Sequence, residues 1–214
     1  MEKKLISLVT PCYNEEGNVA MLYEQVKAII EGQLNKYDYE HIFIDNASSD
    51  NTVEILKEIA KNDNNVKIIV NSRNFGHLRS PVYAMMQASG DVVISLVADL
   101  QDPPEMIVDF IRSYEEGYNI VLGIKESSKE NSLMFKIRGL YYSLLNKVSD
   151  TEIYENYTGF GLYDKKTIEA LQKMPDAYPF FRGMIAEIGY KVKKINYKQP
   201  TRYKGVTKNN FYTL

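Results

Sequence analysis

Over the first 123 residues, short apolar runs of strand length alternate with segments whose apolar positions recur every three or four residues. Leu5–Thr10 (LISLVT), His41–Ile44 (HIFI), Val66–Val70 (VKIIV), Val92–Val97 (VVISLV) and Ile120–Gly123 (IVLG) read as buried strands. Between the first two, Met21, Leu22, Val26, Ile29 and Ile30 share one face of a helix. Pro11 is expected to end the first strand and Asn14 to cap that helix, with Glu15 and Glu16 in its first turn. Val53, Ile55, Leu56 and Ile59 mark a second helix, entered through Ser49 or Asp50. Gly76 permits a tight turn before a third, Val82–Ala88, which Ser89 and Gly90 close. Strands alternating with helices predict an α/β fold: a mainly parallel central sheet flanked by helices on both faces, with right-handed crossovers.

Beyond Gly123 the pattern changes. Lys125–Ser132 (KESSKENS) is polar, and Leu133, Ile137, Leu140, Leu144 and Val148 then mark a helix whose single apolar face reads as core. Thr158–Tyr163 (TGFGLY), with two glycines, reads as an edge strand beside a ligand. A helix over Asp164–Lys173, a segment Pro179–Ile188 and an alternating strand Tyr190–Tyr197 follow. No repeat or Gly/Ser/Pro-rich linker divides the chain, so residues 1–214 read as a single domain.

The most informative stretch is Val92–Glu105, VVISLVADLQDPPE. An apolar strand stops at Asp99, and Asp102 follows before Pro103 and Pro104. Asp102 is expected to cap a helix that begins with the prolines and runs to about Glu115, with Glu105 completing a capping box. Asp99 lies before that turn and serves no cap. In open α/β sheets ligands gather at the carboxyl ends of the strands, so Asp99 and its neighbours are the first place to expect a metal and a phosphate.

Composition narrows the reading. The chain has 214 residues, 44% of them hydrophobic and 25% charged, as an ordinary globular domain has. Its single cysteine, Cys12, excludes an internal disulfide framework and suits a reducing compartment. No apolar run approaches the ~20 residues of a membrane-spanning helix, and the apolar start LISLVT is too short for a signal peptide. The net charge of −2 conceals an asymmetry. After Glu187 there is no acid but seven basic residues, leaving 19 basic against 28 acidic residues before that point. The basic end suits phosphates or an anionic membrane surface, whereas the acidic body disfavours a nucleic acid partner. A homo-oligomer stays open, because pattern alone does not separate an exposed apolar seam from core.

By residue type, the site would combine Asp45, Asp99, Gln101 and Asp102 at strand ends with Lys125, Arg182, Arg202 and Lys208 from later segments. Hard oxygen ligands favour Mg2+ or Mn2+, and one cysteine with two histidines disfavours zinc. A metal of that kind would neutralise a diphosphate, which indicates nucleotide handling. GxGxxG and GxxxxGK[ST] are both absent, and PCYNEEG stands where a dehydrogenase needs its glycines. His77 reads as a loop hydrogen-bonder rather than a base.

Taken in order, PCYNEE, IDNASSDNT, NFGH, ADLQDPPE, FFRG and RYKGVTK resemble the family 2 inverting glycosyltransferases of GT-A fold. DLQDPPE and the R-x-x-G-x-[ST]-K ending resemble the branch that moves a sugar from a nucleotide donor to a polyprenyl (dolichyl or undecaprenyl) phosphate. The likeness runs from about residue 5 to 210 and implies a nucleotide-sugar-binding half, about 1–123, and an acceptor half, about 124–214. It implies that Pro11, Tyr13, Glu15 and Asp45 hold the base and ribose, and that Asp99 and Gln101 hold the metal. Lys125 stands where the family often has an arginine facing the phosphates, and Arg202 with Lys208 matches the basic closing motif. The family usually has Asp-x-Asp where this chain reads Val97-Ala98-Asp99. With one carboxylate fewer, metal affinity would depend on the diphosphate.

The resemblance implies inverting transfer from a nucleotide-sugar, UDP- in preference to GDP-, to a polyprenyl phosphate. Such an acceptor is already anionic and needs little from a general base. For a hydroxyl acceptor on a growing glycan a base is required, and Asp102 or Asp99 is the candidate. A non-catalytic nucleotide-sugar-binding module is the alternative of another class. The basic aromatic ending, without a closing element, leads to the expectation of a further segment that anchors the protein at the cytoplasmic face of a membrane.

Overall fold

The computed structural model describes residues 3–126, 154–174 and 179–203. The helix expected around Leu133–Val148 and the candidate Lys208 lie outside the described residues. In chain order the elements are β1 (Leu5–Cys12), α1 (Val19–Gln33), β2 (Asp38–Asp45), α2 (Thr52–Asn62), β3 (Val66–Val70), α3 (Gly76–Met86), β4 (Val92–Ser95), α4 (Met106–Glu115), β5 (Ile120–Lys125), β6 (Tyr157–Asp164), α5 (Lys165–Gln172), α6 (Phe181–Ile188) and β7 (Val192–Tyr197).

The seven strands form one sheet in the order β3-β2-β1-β4-β6-β5-β7. Pairs β1–β2, β1–β4, β2–β3 and β5–β7 are parallel, while β6 runs antiparallel to both β4 and β5. The mainly parallel α/β sheet expected from the alternation is therefore present. Side chains alternate across it and build two cores. Ile6, Leu8, Phe43, Ile94 and Val121 pack with α1 and α4 on one face. Val9, Ile42, Ile44, Val93 and Leu122 pack with α3, α5 and α6 on the other. Glu40 fastens the central strands: its carboxylate accepts from Ser7 Oγ at 2.5 Å and Ser89 N at 2.8 Å, and pairs with Lys67.

Several boundaries differ from expectation, each for a physical reason. β1 continues through Pro11 to Cys12, since β4 pairs only as far as Val9 and β2 alone flanks the last residues. Asn14 does not cap α1. Its φ is +55°, its side chain accepts from Ser49 N at 2.7 Å, and α1 begins after Asn18. α3 starts at Gly76 rather than Val82 and accommodates Pro81. Leu96 and Val97 fall outside β4, which ends at Ser95. Asp164 caps α5, accepting from Thr167 N at 2.8 Å.

The main correction is β6. It lies inside the sheet between β4 and β5, and the edges are β3 and β7. Gly161, and Gly123 of the adjoining β5, mark close approach of neighbouring strands, whereas Gly159 holds φ +105° with open space around it. A Cβ on Gly161 would stand 2.4 Å from the Val121 carbonyl oxygen, and one on Gly123 would stand 2.6 Å from the Phe160 ring. Gly161→Ala is therefore expected to lower stability by about 1–3 kcal/mol through overpacking. Gly32→Ala, where a Cβ meets nothing within 4 Å near the end of α1, should raise it by up to about 1 kcal/mol. Urea denaturation of the two variants checks both signs.

Candidate active site

The carboxyl ends of β1, β2 and β3 lie level, Cys12 opposite Asp45 and Asp45 opposite Val70. The loops that leave them are laced together by side chains. Asn14 N donates to Ser48 Oγ and Glu15 N to Thr52 Oγ1, both at 2.8 Å, and Glu16 Oε2 accepts from Asn51 N at 2.9 Å. Asn46 reaches the next loop: its Nδ2 donates to Asn74 Oδ1 at 2.8 Å and its Oδ1 accepts from Phe75 N at 2.9 Å. Asn14, Ala47 and Leu100 all hold positive φ, between 55° and 63°. For Ala47 and Leu100 this backbone costs about 1–2 kcal/mol each, a strain sustained by the surrounding bonds and typical of functional loops.

These loops enclose a cleft of about 500 Å³. Pro11, Cys12, Tyr13 and Glu15 line it from β1 and its exit, Asn46 from β2, and Asn74, Gly76, His77 and Pro81 from α3 and its approach. Val97, Ala98, Asp99 and Gln101 come from the turn after β4, and Arg202 from the segment after β7. Arg202 joins the two sides. Its Nη2 donates to Glu15 Oε1 at 2.5 Å, and its Nη1 lies 3.5 Å from Asp99 Oδ2. Glu15 also accepts from Asn18 Nδ2 at 2.5 Å, yet burial still raises its carboxyl above the usual carboxylate range. Asp99 Oδ1 accepts from Gln101 N at 3.1 Å, so the left-handed Leu100 folds the turn around that carboxylate.

Asp102 is used differently from the expectation. α4 begins at Met106 with no side-chain cap, and Glu105 forms no capping box. The Asp102 side chain turns inward, 3% exposed, and accepts from Val97 N at 3.1 Å and the Tyr197 hydroxyl at 3.0 Å. Burial, with Asp99 nearby, pushes its carboxyl up to about 7. Tyr197 ends β7 and rests edge-on against Phe160, so the buried bond ties the turn carrying Asp99 to the last strand of the sheet.

Of the other sequence candidates, Asp45 is fully buried and is not a lining residue of the cleft, its carboxylate holding Ser48 through Oγ at 2.5 Å and N at 2.9 Å. Lys125 ends β5 in register with Tyr197 and is not a lining residue of the cleft. Arg182, on α6, donates to the Tyr157 carbonyl at 3.4 Å and lies over Phe180. Asn46, Asn74 and Pro81 were missed as lining residues. The first two lie inside the IDNASSDNT and NFGH motifs, and for Asn46 its place directly after the end of β2 was the available signal.

Glu15, Asp99 and Gln101 are hard oxygen donors of the kind Mg2+ and Mn2+ take, while no group of three His, Cys, Asp or Glu able to hold a metal occurs among the described residues. The share of such a site that the described residues supply is therefore partial, and oxygens of a bound diphosphate would help to complete it.

This architecture is the GT-A fold. A mannosyltransferase from Pyrobaculum calidifontis, solved with GDP-Man and Mn2+, superposes with a TM-score of 0.60 over 92% of this chain and 56% of its own, at 18% identity. A sequence model described as Glycosyl transferase family 2 matches residues 7–185, and the chain belongs to that family. The uncharacterized glycosyltransferase YkcC of Bacillus subtilis is 34% identical over 94% of this chain and 62% of its own length. A prophage bactoprenol glucosyl transferase homolog of Escherichia coli is 33% identical over 98% and 68%. The chain thus spans roughly two thirds of the length of these relatives.

The elevated Asp102 carboxyl fixes a sign for pH dependence. Its folded form holds a proton at pH values where the unfolded chain has released it, so its contribution to stability falls as pH rises from about 4 to about 7. Asp102→Asn, which cannot ionise, should flatten that part of the profile. Each tenfold difference in proton affinity corresponds to about 1.4 kcal/mol, so the variant and the parent chain should diverge by a few kcal/mol between urea titrations at pH 4.5 and 7. Parallel profiles would refute the assignment.

Proposed function

We propose that the chain transfers a sugar from a UDP-sugar to a polyprenyl phosphate at the cytoplasmic face of a membrane, with inversion at the anomeric carbon. The observation that carries this reading is the convergence of Glu15, Asp99 and Arg202 in one cleft at the strand ends of a family 2 chain. The naming of relatives as bactoprenol glucosyl transferases supports the acceptor class.

In this reading Pro11, Tyr13 and Glu15 hold the nucleoside, and Asp45 keeps its neighbouring loop in shape through Ser48. Asp99 and Gln101 would hold Mg2+ or Mn2+, which when bound supplies charge neutralisation for the leaving diphosphate. Arg202 is placed to exchange its carboxylate partners for phosphate oxygens, a planar guanidinium suiting either. Lys125, outside the cleft lining, and Lys208, outside the described residues, are assigned to the same phosphates on the family resemblance alone. The acceptor oxygen attacks the anomeric carbon from the side opposite the departing nucleoside diphosphate. Its phosphate is ionised at neutral pH, so positioning and charge stabilisation carry the rate.

A hydroxyl acceptor would need a base opening onto the cleft. Asp102 is buried and bonded to Val97 and Tyr197, and Asp99 faces Arg202, which favours the phosphate acceptor. Incubation with Mn2+, a panel of UDP- and GDP-sugars and a short polyprenyl phosphate should yield glycolipid, detected by mass spectrometry, and no product with sugar hydroxyls. Nucleotide binding without turnover would instead identify a binding module. Asp99→Ala should reduce turnover on the order of 100-fold or more and remove the metal dependence of UDP binding; an undiminished metal effect would sink the role given to Asp99.

A further inference from the structure

From Asn64 to Gly90 the chain runs 27 residues without an Asp or Glu, yet includes Lys67, Arg73 and Arg79, in a protein whose net charge is −2. This segment forms β3, an edge of the sheet, and α3 beside it. Its outer surface is unusually apolar: Val70 is 53% exposed, Leu78 43% and Tyr83 51%. Between strand and helix opens a cavity of about 500 Å³, lined by Ile69, Ser72, Phe75, Arg79 and Tyr83 among others. The Arg73 guanidinium lies 4.0 Å over the Phe75 ring and that of Arg79 lies 6.0 Å from it, so cationic groups sit directly on apolar surface.

The position of the patch is informative. Val70 ends β3 level with Asp45, which is itself level with Cys12 in the cleft, and Asn74, Gly76, His77 and Pro81 of the same segment line that cleft. The patch and the cleft mouth thus share one end of the sheet. By contrast α1, whose buried side packs on the opposite sheet face, carries Glu24, Lys27 and Glu31, and Met21 is its single large exposed apolar side chain.

We propose that the β3–α3 face is a membrane-contacting surface that rests on an anionic phospholipid bilayer. Headgroup phosphates meet Arg73 and Arg79, and Leu78 and Tyr83 enter the interfacial layer, the arrangement by which basic and apolar side chains together hold a protein at an anionic surface. Charge selects this occupant. The segment from Asn64 to Gly90 contributes no carboxylate of its own to repel lipid phosphates, whereas a two-fold contact between copies would bring Arg73 and Arg79 of one towards those of the other. The contact brings the cleft mouth beside the bilayer whatever the acceptor is.

The test uses a thiol-reactive, polarity-sensitive fluorophore on Leu78→Cys; the native Cys12 is 2% exposed and stays unlabelled in the folded chain. Vesicles containing phosphatidylglycerol should shift the emission to the blue, and vesicles of phosphatidylcholine alone should not. The same label on Met21→Cys should stay unchanged with both. Arg73→Glu, at an exposed position, should weaken flotation with the anionic vesicles by at least about tenfold while its far-UV spectrum matches the parent. No shift at Leu78, an equal shift at Met21, or undiminished flotation of Arg73→Glu would overturn the proposal, the last assigning binding to the lysine-rich end. A shift that needs no vesicles and grows with protein concentration would overturn it in favour of a second copy.

Discussion

The buried carboxyl of Asp102 is the constraint on which the site depends. It receives the amide of Val97 from its own turn and the hydroxyl of Tyr197 from the far end of the sheet, 95 positions away in sequence. Because β7 pairs with β5 in parallel register up to Lys125 and Tyr197, the bond fixes the turn after β4 against the last strand rather than against its own helix. The chain then runs on to Arg202, and Tyr203 N meets the Asp99 carbonyl at 3.4 Å. One short polar contact thus sets where both the acidic turn and the basic closing segment lie. It is costly, since burial raises the acid's proton affinity, and the Tyr197 hydroxyl beside it is likewise pushed above its ordinary range.

That dependence explains what the sequence revealed and what it hid. Strand and helix alternation in the first half follows from local period, so Leu5, His41, Val66 and Val92 all fell in strands and the apolar positions of α1 and α2 were evident. Asp102, Pro103, Pro104 and Glu105 also spell a good local cap, and nothing nearby reveals a tyrosine that competes for the carboxylate. Asn14 failed as a cap in the same way, because Ser49 in the adjoining loop takes its side chain. The insertion of β6 between β4 and β5 was hidden for a further reason. A glycine that permits a bend and one that permits close packing look alike in sequence, and only the Val121 carbonyl above Gly161 separates them.

The candidate site was legible as chemistry more than as geometry. Asp99, Gln101, Glu15, Tyr13, Pro11 and Arg202 were singled out by type and motif, and all line one cleft. Asp45 was singled out for the same reason but is fully buried and not a lining residue, and neither is Lys125 at the end of β5. Asparagines supply what the motifs did not convey. Asn46 links the exits of β2 and β3 through its side chain, and an amide suits that position since it donates and accepts at once without adding charge to an acidic cleft.

Charge balance within the cleft follows from these placements. Glu15 and Asp99 face each other from the ends of two neighbouring parallel strands, and two such carboxylates need a cation between them. Arg202 provides it. Two lining carboxylates against one guanidinium leave the cleft with a residual negative charge, which an acid in place of Val97 would deepen. The missing acid and the closing arginine are therefore coupled features. Under the proposed function, a diphosphate bound together with Mg2+ or Mn2+ would bring the charges needed for Arg202 to turn from carboxylate to phosphate without leaving Asp99 or Glu15 unpaired.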